Sequence, residues 1–254
     1  MDLTPERIML LRVPLDILPP EDIPGFFHSL IAEDDSPNAY QRGRDIVLLS
    51  VWDLLRARRN NEYRNFILRA ALVIPISKSL VSGARFLTGK KLIRYMPFNF
   101  IISLLSSLEK REYQLYLLGA KSQILKKAEK NIHATFPRLR IVGRCTGYIK
   151  RQEEPALIEA IRKASPSLLL AGKGIRGGEL WIARNGTRLN TGFRLWCSDL
   201  FHVFAEKRRR PSDAVFDRGL ESIGFCLRNP LLFFRIFPFL RYKLLLLFYK
   251  LFRS

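Results

Sequence analysis

The chain has 254 residues, of which 48% are hydrophobic, and it carries a formal net charge of +20 at pH 7. This hydrophobic content excludes a disordered chain, and the length is enough to bury a core in one large domain or two small ones. So much positive charge favours an anionic partner, either nucleic acid or lipid headgroups. The three cysteines and three histidines are scattered without ligand spacing, which predicts neither disulfides nor a metal site and fits a reducing compartment.

The first 112 residues are predicted to alternate between short apolar strands and amphipathic helices. The predicted strands, each an uninterrupted or nearly uninterrupted apolar run, are residues 8–18, 46–49 and 71–74. The predicted helices are residues 20–35, 52–68, 77–87 and 97–108. A polar stretch over residues 36–44 is predicted to be a loop.

From Tyr113 the alternation becomes regular, with predicted strands over residues 113–119, 139–143 and 167–172 and predicted helices over residues 122–134, 153–164 and from 179. Such alternation predicts a parallel sheet with helices on both faces, which binds ligands outside the carboxyl ends of its strands. Four glycines follow the apolar run 168–171 within seven residues. They either cradle a phosphate or only make a tight turn. Neither a dinucleotide-binding nor a P-loop fingerprint is present, which argues against those two enzyme classes.

The last 30 residues, 225–254, differ from the rest in holding six basic residues, nine aromatic residues and no acidic residue. No uncharged apolar run reaches the roughly 20 residues that span a bilayer. The spacing of the basic residues predicts a basic stripe along one side of a helix broken near Pro230 and Pro238. Such a helix is typical of a membrane interface, where Lys and Arg reach the headgroups. A core helix or an oligomer contact is the alternative.

Several segments resemble the WecG/TagA/CpsF family of glycosyltransferases, as a divergent member. They are RVPLDIL, the block YQLYLLGAKSQILKKAEKNIHATFPRLRIVGRCTGY, ELWIARN and AEKRRRPSDAVFDRGLESIGFCLRNP. The resemblance implies a Rossmann-like α/β fold and transfer of an N-acetylmannosamine-type sugar from a UDP donor to a polyprenyl-diphosphate-linked acceptor. It also implies that the basic C-terminal appendage engages an anionic membrane surface, which places the protein in the cytoplasm, on the inner face of the cell membrane.

The resemblance implies three regions and two groups of ligand-binding residues. The regions are an acceptor-side α/β region over 1–112, a nucleotide-binding α/β region over 113–224 and the membrane-associating appendage over 225–254. Residues expected beside the nucleotide are Gly119, Ala120, Lys121, Gly172, Gly174, Arg176 and Glu179. Residues expected to meet diphosphate or membrane are Arg210, Arg228, Arg235, Arg241 and Lys243. No metal and no cofactor besides the UDP-sugar substrate is expected.

The chain departs from the family at the positions that carry chemistry. Ile76 stands where a P-D-G motif supplies the proposed general base, and Gly178 replaces a glutamine. The positions of the family's T-x-N motif hold Leu48 and Ser50, and its G-G-A-F-D motif ends here in His202. Isoleucine cannot accept a proton, so Asp199 or His202 would have to supply the base from another side.

Three functions are compatible with these observations. The first is a membrane-associated glycosyltransferase in cell-surface polysaccharide synthesis, and the second is a catalytically inactive relative that acts as a membrane-bound scaffold. A nucleic-acid-binding protein is suggested by the charge alone, but the sequence lacks any signature of such a protein, and no nucleic acid partner is expected. A homo-oligomer that forms through the apolar appendage is also compatible with the sequence.

Overall fold

A computed structural model of the chain describes residues 5–32, 44–219 and 236–252. Its centre is a parallel six-stranded sheet with strand order β4-β3-β8-β7-β5-β6, and an antiparallel hairpin of β1 and β2 packs beside it. The strands are β1 (Glu6–Leu10), β2 (Val13–Ile17), β3 (Asp45–Leu49), β4 (Leu72–Pro75), β5 (Gln114–Leu118), β6 (Arg140–Cys145), β7 (Leu168–Gly172) and β8 (Phe193–Ser198). The predicted Rossmann-like parallel sheet is therefore confirmed.

Helices cover both faces of the sheet, which explains why its strands appear in the sequence as nearly continuous apolar runs. The helices are α1 (Ile23–Ala32), α2 (Val51–Ala57), α3 (Asn61–Arg69), α4 (Lys78–Thr88), α5 (Pro97–Lys110), α6 (Ser122–Thr135), α7 (Glu154–Ala164), α8 (Glu179–Asn185), α9 (Leu200–Phe204), α10 (Asp213–Arg218) and α11 (Ile236–Phe252). One face packs against α1, α5, α6 and α9. The other packs against the hairpin, α2, α3, α7 and α8.

The segment 8–18 is not one strand, as predicted, but the greater part of a hairpin. Leu11 and Arg12 turn the chain with φ of 50° and 70°, in the left-handed region that residues other than glycine seldom adopt. No glycine or asparagine marks this turn, so the sequence offered no turn signal. The hairpin is fixed to the sheet by the buried Asp16, whose carboxylate accepts hydrogen bonds from Arg7 Nε at 2.7 Å and from the backbone N–H of Val73 at 2.7 Å.

Two further predictions about local structure were wrong. The helix predicted over 52–68 is two helices, because α2 ends at Ala57 and the Asn60 side chain accepts a hydrogen bond from the N–H of Tyr63 at 2.9 Å, which caps α3. The strand β8 was not predicted at all, although it lies between β3 and β7 in the sheet. The polar loop predicted over 36–44 lies outside the described residues except for Arg44.

The C-terminal helix α11 is continuous from Ile236 to Phe252, and Pro238 lies in its first turn, where proline does not interrupt a helix. The break predicted at Pro238 is therefore wrong, and the one predicted near Pro230 lies outside the described residues. The helix docks on α2 and α4 through the buried Tyr242, whose hydroxyl donates to the carbonyl of Ser79 at 2.9 Å. The hydroxyl fits there because Gly83 has no side chain to occupy its place. Within the described ranges no helix is both long and apolar enough to cross a bilayer.

A buried ion pair joins β3 to β8 at the middle of the sheet. Arg194 donates from Nε and Nη2 to the two carboxylate oxygens of Asp45, at 2.7 and 3.1 Å, and from Nη1 to the carbonyl of Gly186. Both side chains are only 10% exposed. Asp45 and Arg194 are paired directly in the ladder between β3 and β8. In the described residues this ladder has one further pair, Ile46 with Leu195.

Replacing Asp45 by alanine is expected to destabilise the fold by about 3–5 kcal/mol, because it leaves a buried guanidinium without its counter-charge. Urea unfolding followed by circular dichroism measures the change. The matched control is Glu62→Ala, which breaks the Glu62–Arg184 pair of similar geometry at the exposed surface and should change the free energy of unfolding little. Equal losses in the two variants would contradict the role given to the buried pair.

Candidate functional site

The crossover connections of the sheet diverge between β5 and β7, and this point defines the candidate site. The chain leaves β5 towards α6 on one face and leaves the neighbouring β7 towards α8 on the other face. A parallel sheet binds its ligand in the crevice that opens at such a switch point, outside the carboxyl ends of the strands. We call this side of the sheet the carboxyl edge. The loops after β5 and β7 contain most of the residues predicted to lie beside the nucleotide.

These loops approach each other closely enough to require glycine. A Cβ atom on Gly119 would lie 2.9 Å from the backbone of Gly172, and Gly119 has φ of +135°. Gly174 has φ of +108° and lies against the ring of Tyr148, which is 63% exposed. Close packing of bare backbone is what allows N–H groups to reach a phosphate. The close approach of these loops therefore favours a phosphate-binding role for the glycines over a simple tight turn.

Backbone hydrogen bonds join the loops after four neighbouring strands. The N–H of Ala120 donates to the carbonyl of Lys173 at 2.6 Å, and the N–H of Gly147 donates to the carbonyl of Ala120 at 3.2 Å. The N–H of Lys173 in turn donates to the carbonyl of Ser198 at 3.0 Å. The loops after β5, β6, β7 and β8 thus form one connected rim. These hydrogen bonds hold the loops in place before a ligand arrives, which lowers the entropy cost of binding.

Asp199 follows β8 on this rim and is held by two cations. Its Oδ2 accepts from Lys173 Nζ at 2.6 Å and from Arg208 Nη1 at 3.0 Å. Both cations are about half exposed, so they face the crevice as well as the carboxylate. His202 lies one helical turn further on, and its buried Nδ1 has no hydrogen-bond partner. Lys121 and Arg176, two of the predicted nucleotide-side residues, are exposed on the same loops.

The basic run 207–210 crosses the carboxyl edge from β8 towards β4. Arg208 contacts Asp199 beside β8, whereas Arg210 donates to the side chain of Asn99 at 3.2 Å at the start of α5. The chain then continues into α10, whose C-terminal carbonyls accept hydrogen bonds from two further cations. Arg94 donates to Phe216 and Lys78 donates to Asp217, at 2.5 and 3.0 Å. The sequence analysis predicted that Arg210 meets diphosphate or membrane, but it gave no sign of this attachment beside β4.

Ile76 directly follows β4, and the family resemblance predicts that it replaces a carboxylate. Its N–H donates to the carbonyl of Leu49 at 2.9 Å, and its own carbonyl accepts from Arg94 Nε at 3.0 Å. The neighbouring Ser50, at one of the T-x-N positions, caps α2 by exchanging hydrogen bonds with Asp53. Backbone hydrogen bonds thus order the ends of β3 and β4, but the aliphatic side chain of Ile76 cannot accept a proton.

Glu179 is buried, and its hydrogen-bond partner is Tyr63 on α3, whose hydroxyl donates to Glu179 Oε2 at 2.7 Å. Burial, together with the negative charge of Asp53, raises the pKa of its carboxyl to about 7. Arg56 lies over the Tyr63 ring, 4.1 Å from its centroid, and partly offsets this rise. Glu179 therefore faces α3 across the packed interior, and sequence reasoning did not detect its pairing with Tyr63. Its place beside the nucleotide remains a prediction.

The remaining residues predicted to meet diphosphate or membrane lie on α11 or outside the described residues. Arg241 and Lys243 are exposed on α11, and Arg228 and Arg235 lie outside the described residues. In the described part of the chain, no three His, Cys, Asp or Glu side chains are grouped so that they could hold a metal ion.

The pKa of Glu179 predicts a specific pH dependence of stability. Because its folded-state value of about 7 lies above the 4.5 of an unperturbed carboxyl, the neutral form stabilises the fold below pH 4.5 and this contribution is lost as the pH rises through 7. The Glu179→Gln variant keeps an acceptor for Tyr63 but does not titrate. Between pH 4.5 and 8 the wild type should lose about 3 kcal/mol relative to it, as measured by urea unfolding. Parallel pH profiles would contradict the shifted pKa.

Comparison with known proteins agrees with this geometry. The model of the glycosyl transferase WecG/TagA/CpsF family matches residues 8–254. The N-acetylglucosaminyldiphosphoundecaprenol N-acetyl-β-D-mannosaminyltransferase of Bacillus subtilis (strain 168) is 20% identical over 191 residues, covering 75% of this chain and 74% of that protein. The enzyme of the same name from Bacillus spizizenii (strain ATCC 23059 / NRRL B-14472 / W23) is 23% identical over 175 residues, covering 68% and 67%. Because the family match spans nearly the whole chain, this protein belongs to the WecG/TagA/CpsF family of glycosyl transferases.

Proposed function

We propose that this protein transfers an N-acetylmannosamine-type sugar from a UDP donor to a polyprenyl-diphosphate-linked acceptor at an anionic membrane surface. The observation that carries the proposal is the rim at the β5/β7 switch point, which belongs to a chain matched by a glycosyl transferase family over nearly its full length. The printed names of two relatives describe this transfer for those proteins. The sequence identity is low, so the exact sugar and acceptor belong to the proposal.

On the donor side, the diphosphate would meet the loops after β5 and β7. The cations available there are Lys173, Arg176 and Arg208, which are exposed or half exposed at the rim. Charge-assisted hydrogen bonds from such groups stabilise the negative charge that develops on a departing UDP. The exposed ring of Tyr148, beside Gly174, would offer an aromatic surface to the uracil.

On the acceptor side, α11 supports binding at a membrane surface. Its free face carries apolar side chains at spacings of three and four, namely Leu240, Leu244, Leu247 and Leu251, each more than half exposed. At 100° per residue, Arg241 lies at one margin of this face and Lys243 and Lys250 lie at the other. The single basic side expected from the sequence is therefore replaced by cations on both margins. That geometry lets the apolar face enter a bilayer interface while the cations reach headgroups.

The base for the acceptor hydroxyl would come from the β8 side of the rim, since Ile76 cannot provide it. Asp199 Oδ2 accepts hydrogen bonds from two cations, Lys173 and Arg208, which restrict the movement of its side chain. His202 has a ring nitrogen with no partner. The absence of a carboxylate at position 76 equally favours the second function, an inactive relative that binds the donor and the membrane as a scaffold.

Release of UDP from UDP-N-acetylmannosamine, in the presence of an N-acetylglucosaminyl-diphosphate lipid, tests the catalytic proposal. We expect slow turnover by the wild type, and we expect Ile76→Asp to raise kcat at least about tenfold by restoring a base. Ile76→Asn is the matched control, because it has a similar shape without a proton acceptor. Donor binding without UDP release in all three proteins would favour the scaffold and contradict transfer.

Sedimentation with vesicles containing phosphatidylglycerol tests the membrane proposal. We expect the wild type to bind and the double variant Leu244→Ser/Leu251→Ser to lose most binding, because it removes apolar area from the free face of α11. Substituting two exposed residues of α6, Lys126→Ser and Lys130→Ser, provides a comparison on another surface. Unchanged binding of the α11 variant would rule out this helix as the membrane contact.

A further inference from the structure

A cavity of about 560 Å³ lies between α2 and the first turns of α11, and nothing in the proposed transfer reaction uses it. One wall is formed by Trp52 and Arg56, which lie one helical turn apart on α2, and by Arg59, which follows the end of that helix. Its α11 wall includes Phe237 and Arg241, one helical turn apart. A volume of this size is typical of sites that hold small molecules.

The lining of the cavity is suited to an anion. Three guanidinium groups, those of Arg56, Arg59 and Arg241, border it, and no acidic residue of the described ranges does. Arg59 and Arg241 form no ion pair with any residue in the described ranges. Asn60 also borders the cavity; its Oδ1 is occupied as the cap of α3, so its amide nitrogen is the group it can offer to a ligand. Guanidinium groups bind phosphate oxygens in a bidentate manner, which makes phosphate a better match than a single carboxylate.

The position of the cavity indicates what the phosphate is attached to. At its mouth lies Phe237, which is 65% exposed and precedes by three residues Leu240, the first residue of the free apolar face of α11. A ligand with its phosphate among the arginines could therefore continue along that face as a hydrocarbon chain. Inside the cavity, Trp52 and Phe237 provide apolar walls for the part of the ligand between phosphate and chain.

We propose that this cavity is a headgroup site for an anionic phospholipid of the bilayer. The alternative source of a lipid phosphate, the diphosphate of the sugar acceptor, must reach the carboxyl edge, where the donor loops lie. The cavity instead follows α2 from Trp52 in its first turn to Asn60 beyond its end, and thus leads away from that edge. The inference rests on the proposed membrane association and gives it a defined lipid partner.

Calorimetric titration with monomeric dihexanoylphosphatidylglycerol tests the site without a bilayer. We expect saturable binding by the wild type and binding weakened roughly 30-fold in the double variant Arg59→Gln/Arg241→Gln, which removes two charges from the cavity. The control Lys126→Gln/Lys130→Gln removes the same charge from the exposed surface of α6 and should bind like the wild type. Inorganic phosphate and dihexanoylphosphatidylcholine should both bind much more weakly than the anionic lipid.

The outcomes separate this inference from the function on which it rests. Equal losses in the cavity variant and the α6 control, or no saturable binding by the wild type, would overturn the headgroup site. Equal affinity for inorganic phosphate would overturn the assignment to lipid. Sedimentation of the wild type with vesicles tests membrane association itself, so a protein that binds vesicles but not the monomeric lipid refutes the cavity proposal alone. Unaltered thermal unfolding of the variants shows that any loss is not due to misfolding.

Discussion

The pairing of Arg194 with Asp45 is the contact on which the continuity of the sheet depends. Strands β3 and β4 form one group, and β5 to β8 form another. Among the described residues, the only strand pairing between the two groups is the short ladder between β3 and β8. A bidentate ion pair at 10% exposure is costly to desolvate, but in this geometry it fixes the register in which the strands meet. The ladder between β3 and β8 joins residues on either side of the predicted boundary at residue 112, so strands from both predicted regions share one sheet. The division into an acceptor side and a nucleotide side stays a prediction.

The register of β3 with β8 brings together charged residues that are distant in the sequence. With β8 between β3 and β7, Asp199 emerges beside Lys173, and the basic run after α9 passes over the carboxyl edge to reach Arg94 near β4. The result is a carboxyl edge with several cations and an ion-paired carboxylate, Asp199, on its β8 side. Such an edge is well suited to hold a nucleotide diphosphate, and it is less well provided with a base. The edge thus holds the cations that a donor diphosphate needs, whereas Ile76 offers no group that could remove a proton from the acceptor.

The α11 helix is stabilised by one face and leaves the other free. Tyr242 and Tyr249 pack towards α4 and α2, where Tyr242 bonds to Ser79 and Tyr249 accepts from Arg58 at 3.3 Å. The opposite face is nearly as apolar but has no cover among the described residues. A helix that is apolar on both faces gives a weak amphipathic pattern in sequence, because docked and exposed apolar positions have the same period. Only the docking distinguishes the face that holds the protein together from the face available to lipid.

The sequence by itself determined the fold class, the strand–helix alternation from residue 113 and the glycine loops at strand ends, because these depend on local periodicity and backbone geometry. The family resemblance identified the scaffold, and it predicts that Ile76 replaces the general base of the family. Tertiary structure alone decided the β8 position, the hairpin turn at Leu11, and the burial of Glu179 against Tyr63. These depend on partners far away in the chain: Glu179 and Tyr63 are 116 residues apart, and no local pattern encodes such a contact. The cavity between α2 and α11 has the same origin, since each helix contributes only one of its walls.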